Sequence, residues 1–231
     1  MNTRLVSVSI VLLAAVFAPG GSASSADRTS VVAQASRAVV VVDADAVQGS
    51  AFAFGHSGEF LTNAHVVRNL RRVVITDSRG RRARAEVVAI DDRTDVALLR
   101  SELIETQLPP AEDEVHPGDT VLAIGAAAGL PGTVTEGIVS AVGRRVNGVS
   151  MIQTDAALNH GDSGGALIDA RGRVVGVTSA RQPGAEGIAF AIPIATARDA
   201  VTLGPPSIWR KRRLRRGARS SASRTSSWLP C

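Results

Sequence analysis

Residues 159–167, NHGDSGGAL, decide the fold, because this peptide admits incompatible readings. Ser163 stands among Gly161, Gly164 and Gly165. Glycines around a serine let the backbone turn tightly and bring N–H groups to a developing oxyanion without side-chain obstruction. The same letters fit a plain Asp-Ser-Gly turn between two strands, and they also fit Gly-x-Ser-x-Gly, the strand-to-helix elbow of α/β-hydrolases. In the elbow fold the histidine follows the serine. No histidine follows His160 in this chain, so the elbow is excluded.

Outward from that peptide the pattern is short β-rich runs broken by turn residues. Before it lie AVVVV (38–42), GSAFAF (49–54), EFLTNAHVV (59–67), RRVVITD (71–77), RAEVVAI (84–90) and DVALLR (95–100). A Pro- and acid-rich stretch, LPPAEDEVHPGD (108–119), precedes a second set: TVLAIG, GTVTEGIVSAV, SMIQTDA, GALID, RVVGVTS and GIAFAIP. Closely spaced strands without helical periodicity between them predict an antiparallel barrel or sandwich. The break near 105–118 reads as a linker between two β units of similar size, and ATARDAV (195–201) as a short helix. Aromatics in the body are only Phe52, Phe54, Phe60 and Phe190, so the core must be built from Val, Ala, Ile and Leu. So few rings offer little stacking platform for single-stranded nucleic acid.

A nucleophilic serine needs a base, and the histidines are His56, His65, His116 and His160. His56 and His116 sit in Gly- or Pro-containing turns that read as solvated. His65 ends the strand-like run LTNAHVV, where it can enter a cleft between the β units. Asp95 in DDRTDVALLR stands immediately before an apolar run, as a buried acid that fixes an imidazole tautomer would; Asp91 and Asp92 belong to the preceding turn.

These segments, with IQTDAALNHGDSGGALID (152–169) and GIAFAIPI (187–194), resemble the trypsin-like serine endopeptidases of the HtrA (DegP/DegS-like) group, over most of residues 29–203. The order His, Asp, Ser is that of the chymotrypsin-type triad. The resemblance implies an all-β fold of two perpendicular six-stranded antiparallel β-barrels with the site between them: barrel one about 29–108, barrel two about 117–204. It implies Ser163 as nucleophile, His65 as base and Asp95 as orienting carboxylate, with an oxyanion hole from backbone N–H groups of Gly161, Ser163 and Asp162. The expected activity is hydrolysis of unfolded or misfolded polypeptide through an acyl-enzyme, with no cofactor and no metal. The competing expectation is a catalytically silent, protease-like binding protein.

Ala157, six before the nucleophile, falls at the base of the primary pocket in this fold, with Leu158 next to it and His160 near the rim. No carboxylate is offered there, so small or medium aliphatic side chains are expected at the cleaved bond. The family commonly reads NPGNSGG where this chain reads NHGDSGG, so Asp162 either takes a cationic partner or biases the oxyanion loop toward an inactive shape. A metal on His160 and Asp162 lacks a third ligand. The family's C-terminal PDZ modules need about 90 residues, and 27 follow Gly204. Oligomeric state is not legible.

The formal +5 is a sum of unlike parts. Residues 27–204 are net acidic, whereas 205–231 hold eight basic residues and no acid. The body therefore offers no charge argument for nucleic acid. The basic, Ser-rich tail reads as a disordered extension, a tether for an anionic surface, or an altered reading frame. Residues 1–26, with Arg4 before LVSVSIVLLAAVFA (5–18), read as an export signal, its apolar run being short for a membrane span. Export predicts a secreted or periplasmic, cell-envelope location. The single cysteine, Cys231, allows no internal disulfide, so packing alone must hold the fold.

Overall fold

In the computed structural model, which describes residues 25–45, 47–103, 105–181, 187–202 and 229–230, the β-rich runs form two barrels. Strands β1 (Val39–Ala44), β2 (Val47–Ala53), β3 (Glu59–Thr62), β4 (Arg72–Thr76), β5 (Arg82–Asp91) and β6 (Val96–Ser101) close antiparallel in the order β1-β2-β3-β6-β5-β4. The second set is β7 (Thr120–Gly125), β8 (Thr133–Val146), β9 (Val149–Thr154), β10 (Ala166–Asp169), β11 (Val174–Arg181) and β12 (Ala189–Pro193). It runs β10-β7-β8-β9-β12-β11 and closes where β10 meets β11. The all-β architecture of two six-stranded barrels is thus the one expected.

Local chemistry fixes these pairings. The β8–β9 hairpin turns at Asn147-Gly148, both with positive φ (49° and 84°), joining Val146 to its partner Val149. Asn-Gly is the preferred pair for a two-residue turn whose twist suits the strands. Inside, the scarcity of aromatics is met by Val, Ile and Leu. One buried cluster runs from Val39, Val42, Phe52 and Leu99 of barrel one to Ile124, Ile168 and Ile192 of barrel two. A second lies within barrel two around Val121, Val139, Ile152, Leu158 and Leu167.

The connection after β6 binds both barrels together. Leu108 N–H donates to Ala53 O of barrel one (3.0 Å), while Ala111 N–H donates to Val174 O of barrel two (2.8 Å). The expected C-terminal helix is present as α3 (Ile194–Thr202), which follows β12 and packs on β11, β5 and β6.

Two helices were not expected. Ser25–Ala38 forms α1, which packs against β1, β7 and β8. Its Ala35 and Ala38 are buried and Val31 and Val32 lean on the core, spacings that put them on one helical face. The tetravaline run that follows obscured that pattern. The other is the single turn α2 (Ala64–Val67), which carries His65 where a strand end was expected. The expected leader, residues 1–26, lies outside the described residues except for 25 and 26. Of the expected disordered tail, Leu229–Pro230 is described, and it forms a strand, β13, beside β11. Among the described residues no helix is long and apolar enough to cross a membrane.

Candidate active site

Barrel one supplies a bonded pair. β3 ends at Thr62 and the chain enters α2, which turns His65 back toward the loop before β6. His65 Nδ1 lies 2.7 Å from Asp95 Oδ2, and His65 N–H donates to Asp95 Oδ1 at 2.9 Å. Asp95 holds φ of 60°, a left-handed conformation that Asp tolerates better than most residues. Its carbonyl accepts from Ala64 N–H (3.1 Å) and Asn63 Nδ2 (2.9 Å), which holds it there. An ionised carboxylate can only accept, so Nδ1 is the donor in this pair, and in the neutral imidazole Nε2 is then the acceptor.

Barrel two supplies Ser163 on the turn before β10. The turn fits only because it is glycine: at Gly164 (φ 86°) a Cβ would collide with Ser50 O and Thr62 Oγ1, and at Gly161 (φ 99°) it would fall 2.5 Å from Ala126 O. Gly164 N–H donates to Thr178 O (2.8 Å) and Thr178 N–H to Gly165 O (2.9 Å), so the turn is stitched to β11.

Ser179, on β11, joins the two halves. Its hydroxyl donates to Asp95 Oδ2 (3.2 Å), and its carbonyl accepts from Ser163 Oγ (3.2 Å). One residue therefore touches both the acid from barrel one and the serine from barrel two. The cleft beside it, about 360 Å³, is lined by His65, Asp95 and Arg68 of barrel one and by Met151, Val149 and Ser179 of barrel two.

Ser50 makes the second tie. Its hydroxyl donates to Gly161 O (2.6 Å) and accepts from Ala126 N–H (2.8 Å), and its own N–H donates to Ser163 O (2.8 Å). These bonds fix the plane of the peptide after Gly161. The N–H of Asp162, included among the expected oxyanion donors, is instead committed to Asn159 O at 3.1 Å. That turn bond leaves Gly161 and Ser163 as the donor pair to consider.

The Asp162 side chain points inward. It is 4% exposed, packs over Gly125 and accepts from Asn159 N–H at 2.8 Å, while Oδ1 makes no hydrogen bond of good geometry. Burial pushes its carboxyl above the ordinary value, against the lowering pull of the Asn159 and Ala127 N–H groups. None of the ion pairs among the described residues involves Asp162.

A family model described as a trypsin-like peptidase domain matches residues 49–177. The chain belongs to the trypsin-like peptidase family. It is 44% identical over 162 residues to a putative serine protease, HhoB, of Synechocystis sp., covering 65% of this chain and 38% of that relative. Against the serine endoprotease DegS of Haemophilus influenzae the identity is 39% over 163 residues, covering 65% and 48%. A crystal structure of the serine endoprotease from Yersinia pestis matches with a TM-score of 0.68 and 36% identity, covering 74% of this chain and 64% of that one. The chain thus spans less than half the length of these two curated relatives.

In this trypsin-like peptidase, His56, His116 and His160 are exposed. Of the residues expected at the pocket, Ala157 is exposed and its carbonyl accepts from Thr135 Oγ1 (2.8 Å). Leu158 packs into the second core cluster, and His160 O accepts from Ala128 N–H (3.0 Å). The loop TSARQPGAEG (178–187), expected to help wall the pocket, lies partly outside the described residues. Sequence reasoning missed Ser50 and Ser179. Ser50 stood in the quoted GSAFAF and Ser179 in RVVGVTS; a small hydroxyl residue in an otherwise apolar run is the signal that could have found them.

Proposed function

We propose that this trypsin-like peptidase is an exported serine endopeptidase that hydrolyses unfolded or misfolded polypeptide through an acyl-enzyme. The observation that carries the reading is the Ser179 link, which places a tautomer-fixed His65–Asp95 pair and a glycine-cradled Ser163 around one residue. In the first half-reaction Ser163 Oγ attacks the scissile carbonyl and its proton passes to His65 Nε2. Asp95 stabilises the imidazolium without taking the proton. N–H groups of Gly161 and Ser163 receive the oxyanion, and His65 returns the proton to the leaving amine. Water, deprotonated by the same imidazole, then releases the acid and regenerates Ser163.

The absence of an acid at Ala157 supports small or medium aliphatic residues at the cleaved bond. Export rests on the leader-like residues 1–26 and on relatives named periplasmic, such as the probable periplasmic serine endoprotease DegP-like of Halomonas elongata. The basic residues 210–224 suit an anionic surface. The test is incubation with unfolded casein and with a fluorophosphonate probe. Cleavage and labelling that vanish in Ser163→Ala are expected; absence of both in a folded protein would replace this reading with a silent binding protein.

A further inference from the structure

β11 has two edges, and the nucleophile stands on one of them. Along the other, β12 pairs with Gly176 through Arg181. On the nucleophile's edge β10 pairs with Val174, Gly176 and Val177. Next come Gly165 and Gly164, bonded to Thr178, and then Ser163 Oγ, bonded to Ser179 O. Ala180 and Arg181 follow. Because β12 holds their other side, β13 must lie on the nucleophile's edge, where Arg181 pairs with Leu229 and Ala180 with Pro230. β13 therefore resumes the line of β10 beyond the gap that Ser163 occupies.

The polarity of β13 is informative. From Leu229 to Pro230 its partner steps back from Arg181 to Ala180, so the chain runs toward Ser179 and Ser163. The acyl half of any substrate ends at the carbonyl that Ser163 attacks. If it lies on this edge it must also run toward Ser163, antiparallel to β11. A leaving-group half there would run the opposite way. Strand addition of this kind relies on main-chain bonds and accepts many sequences.

We propose that Leu229–Pro230 occupies, in cis, the β11 edge that receives the acyl half of a substrate, so that the chain's own tail competes for Ala180 and Arg181. This rests on the protease reading above. The reach is ample, since the residues between Thr202 and Leu229 could span roughly 80 Å if extended. A two-residue strand binds weakly, but tethering supplies an effective concentration on the order of millimolar. The tail thereby acts as a brake that an abundant or tight-binding polypeptide overcomes.

Both barrels and α3 close without β13, so a chain ended after Gly204 retains every other strand pairing. With an extended aliphatic peptide anilide as substrate, that chain should show a KM about tenfold below the full chain at unchanged kcat. A synthetic peptide of residues 225–230 at millimolar concentration should inhibit it competitively. In the full chain, Leu229→Pro deletes the only main-chain N–H that β13 possesses, Pro230 having none, and should lower KM in the same direction. Hydrogen exchange on a Ser163→Ala background gives a readout independent of turnover. The amide of Arg181, which faces Leu229, should exchange faster in the Leu229→Pro chain than in its parent, whereas that of Ala180, which points to the β12 edge, should not change. Equal exchange at Arg181, or a KM that stays the same or rises, would overturn the proposal. Loss of hydrolysis in every chain would instead strike the protease reading, and the exchange result would still decide this one.

Discussion

The two barrels hold their halves of the site in opposite ways. Barrel one presents a nearly self-sufficient pair: Asp95 bonds His65 through both carboxylate oxygens and is held by Ala64 and Asn63 of the same barrel. Barrel two presents Ser163 on a turn whose shape is set from outside. Ser50, from barrel one, grips it at Gly161 and Ser163, and Thr178 grips it at Gly164 and Gly165. The base side is built from bonds within its own barrel, the nucleophile side partly from bonds that cross between the barrels. Damage to the first should therefore change chemistry with little change in fold, and damage to the second should change both.

The sharpest break is at the base. His65→Ala should lower kcat by about a millionfold, because nucleophile and base act as one unit. Asp95→Asn comes next, at about ten-thousandfold, since the amide stabilises the wrong imidazole tautomer. Both are read by active-site-normalised hydrolysis. For both, a thermal midpoint within a few degrees of the parent is expected if barrel one holds the pair independently of the rest. A large fall in midpoint would break the comparison.

Ser50→Ala probes the other side. It removes a buried hydroxyl that serves two partners, leaving Gly161 O and Ala126 N–H unsatisfied at about 1–3 kcal/mol each. Stability to urea should fall by that order, and kcat on the order of tenfold as the peptide after Gly161 loosens. A loss of stability with kcat intact would show that this peptide needs no tie from barrel one.

How far the sequence reveals these features follows from the same contrast. Strand runs and the two-barrel plan are legible because period-two patterning and turn residues are local signals. His65 and Asp95 stand out because one ends a strand-like run and the other stands immediately before an apolar one. Ser50 and Ser179 give only the fainter signal of a small hydroxyl in an apolar run, since a serine in a strand looks like an ordinary solvent-facing position until the fold covers it. The helix α1 was hidden by weak amphipathicity beside four valines. The commitment of the Asp162 N–H to Asn159 is set by backbone dihedrals that composition does not encode. β13 pairs with residues nearly fifty positions earlier, a contact that no short window contains.

The smallest expected effect concerns Asp162, and its sign separates the two roles that the sequence leaves open. Its carboxyl sits above the ordinary value because burial outweighs the Asn159 and Ala127 N–H groups. Between the unfolded value, about 3.9, and the raised folded one, the folded chain keeps a proton that the unfolded chain has lost. Stability must then fall as pH rises through that window. Asp162→Asn keeps an oxygen for Asn159 N–H and removes the titration. Its thermal midpoint should match the parent near pH 4 and exceed it by a few degrees at pH 8, the size expected when an unsatisfied buried polar group costs about 1–3 kcal/mol. A variant less stable than the parent at pH 8 would mean that the ionised carboxylate is the favoured form. The Asn159 and Ala127 N–H groups would then outweigh burial, and the carboxylate's charge would help the Ser50 and Thr178 hydrogen bonds anchor the nucleophile turn.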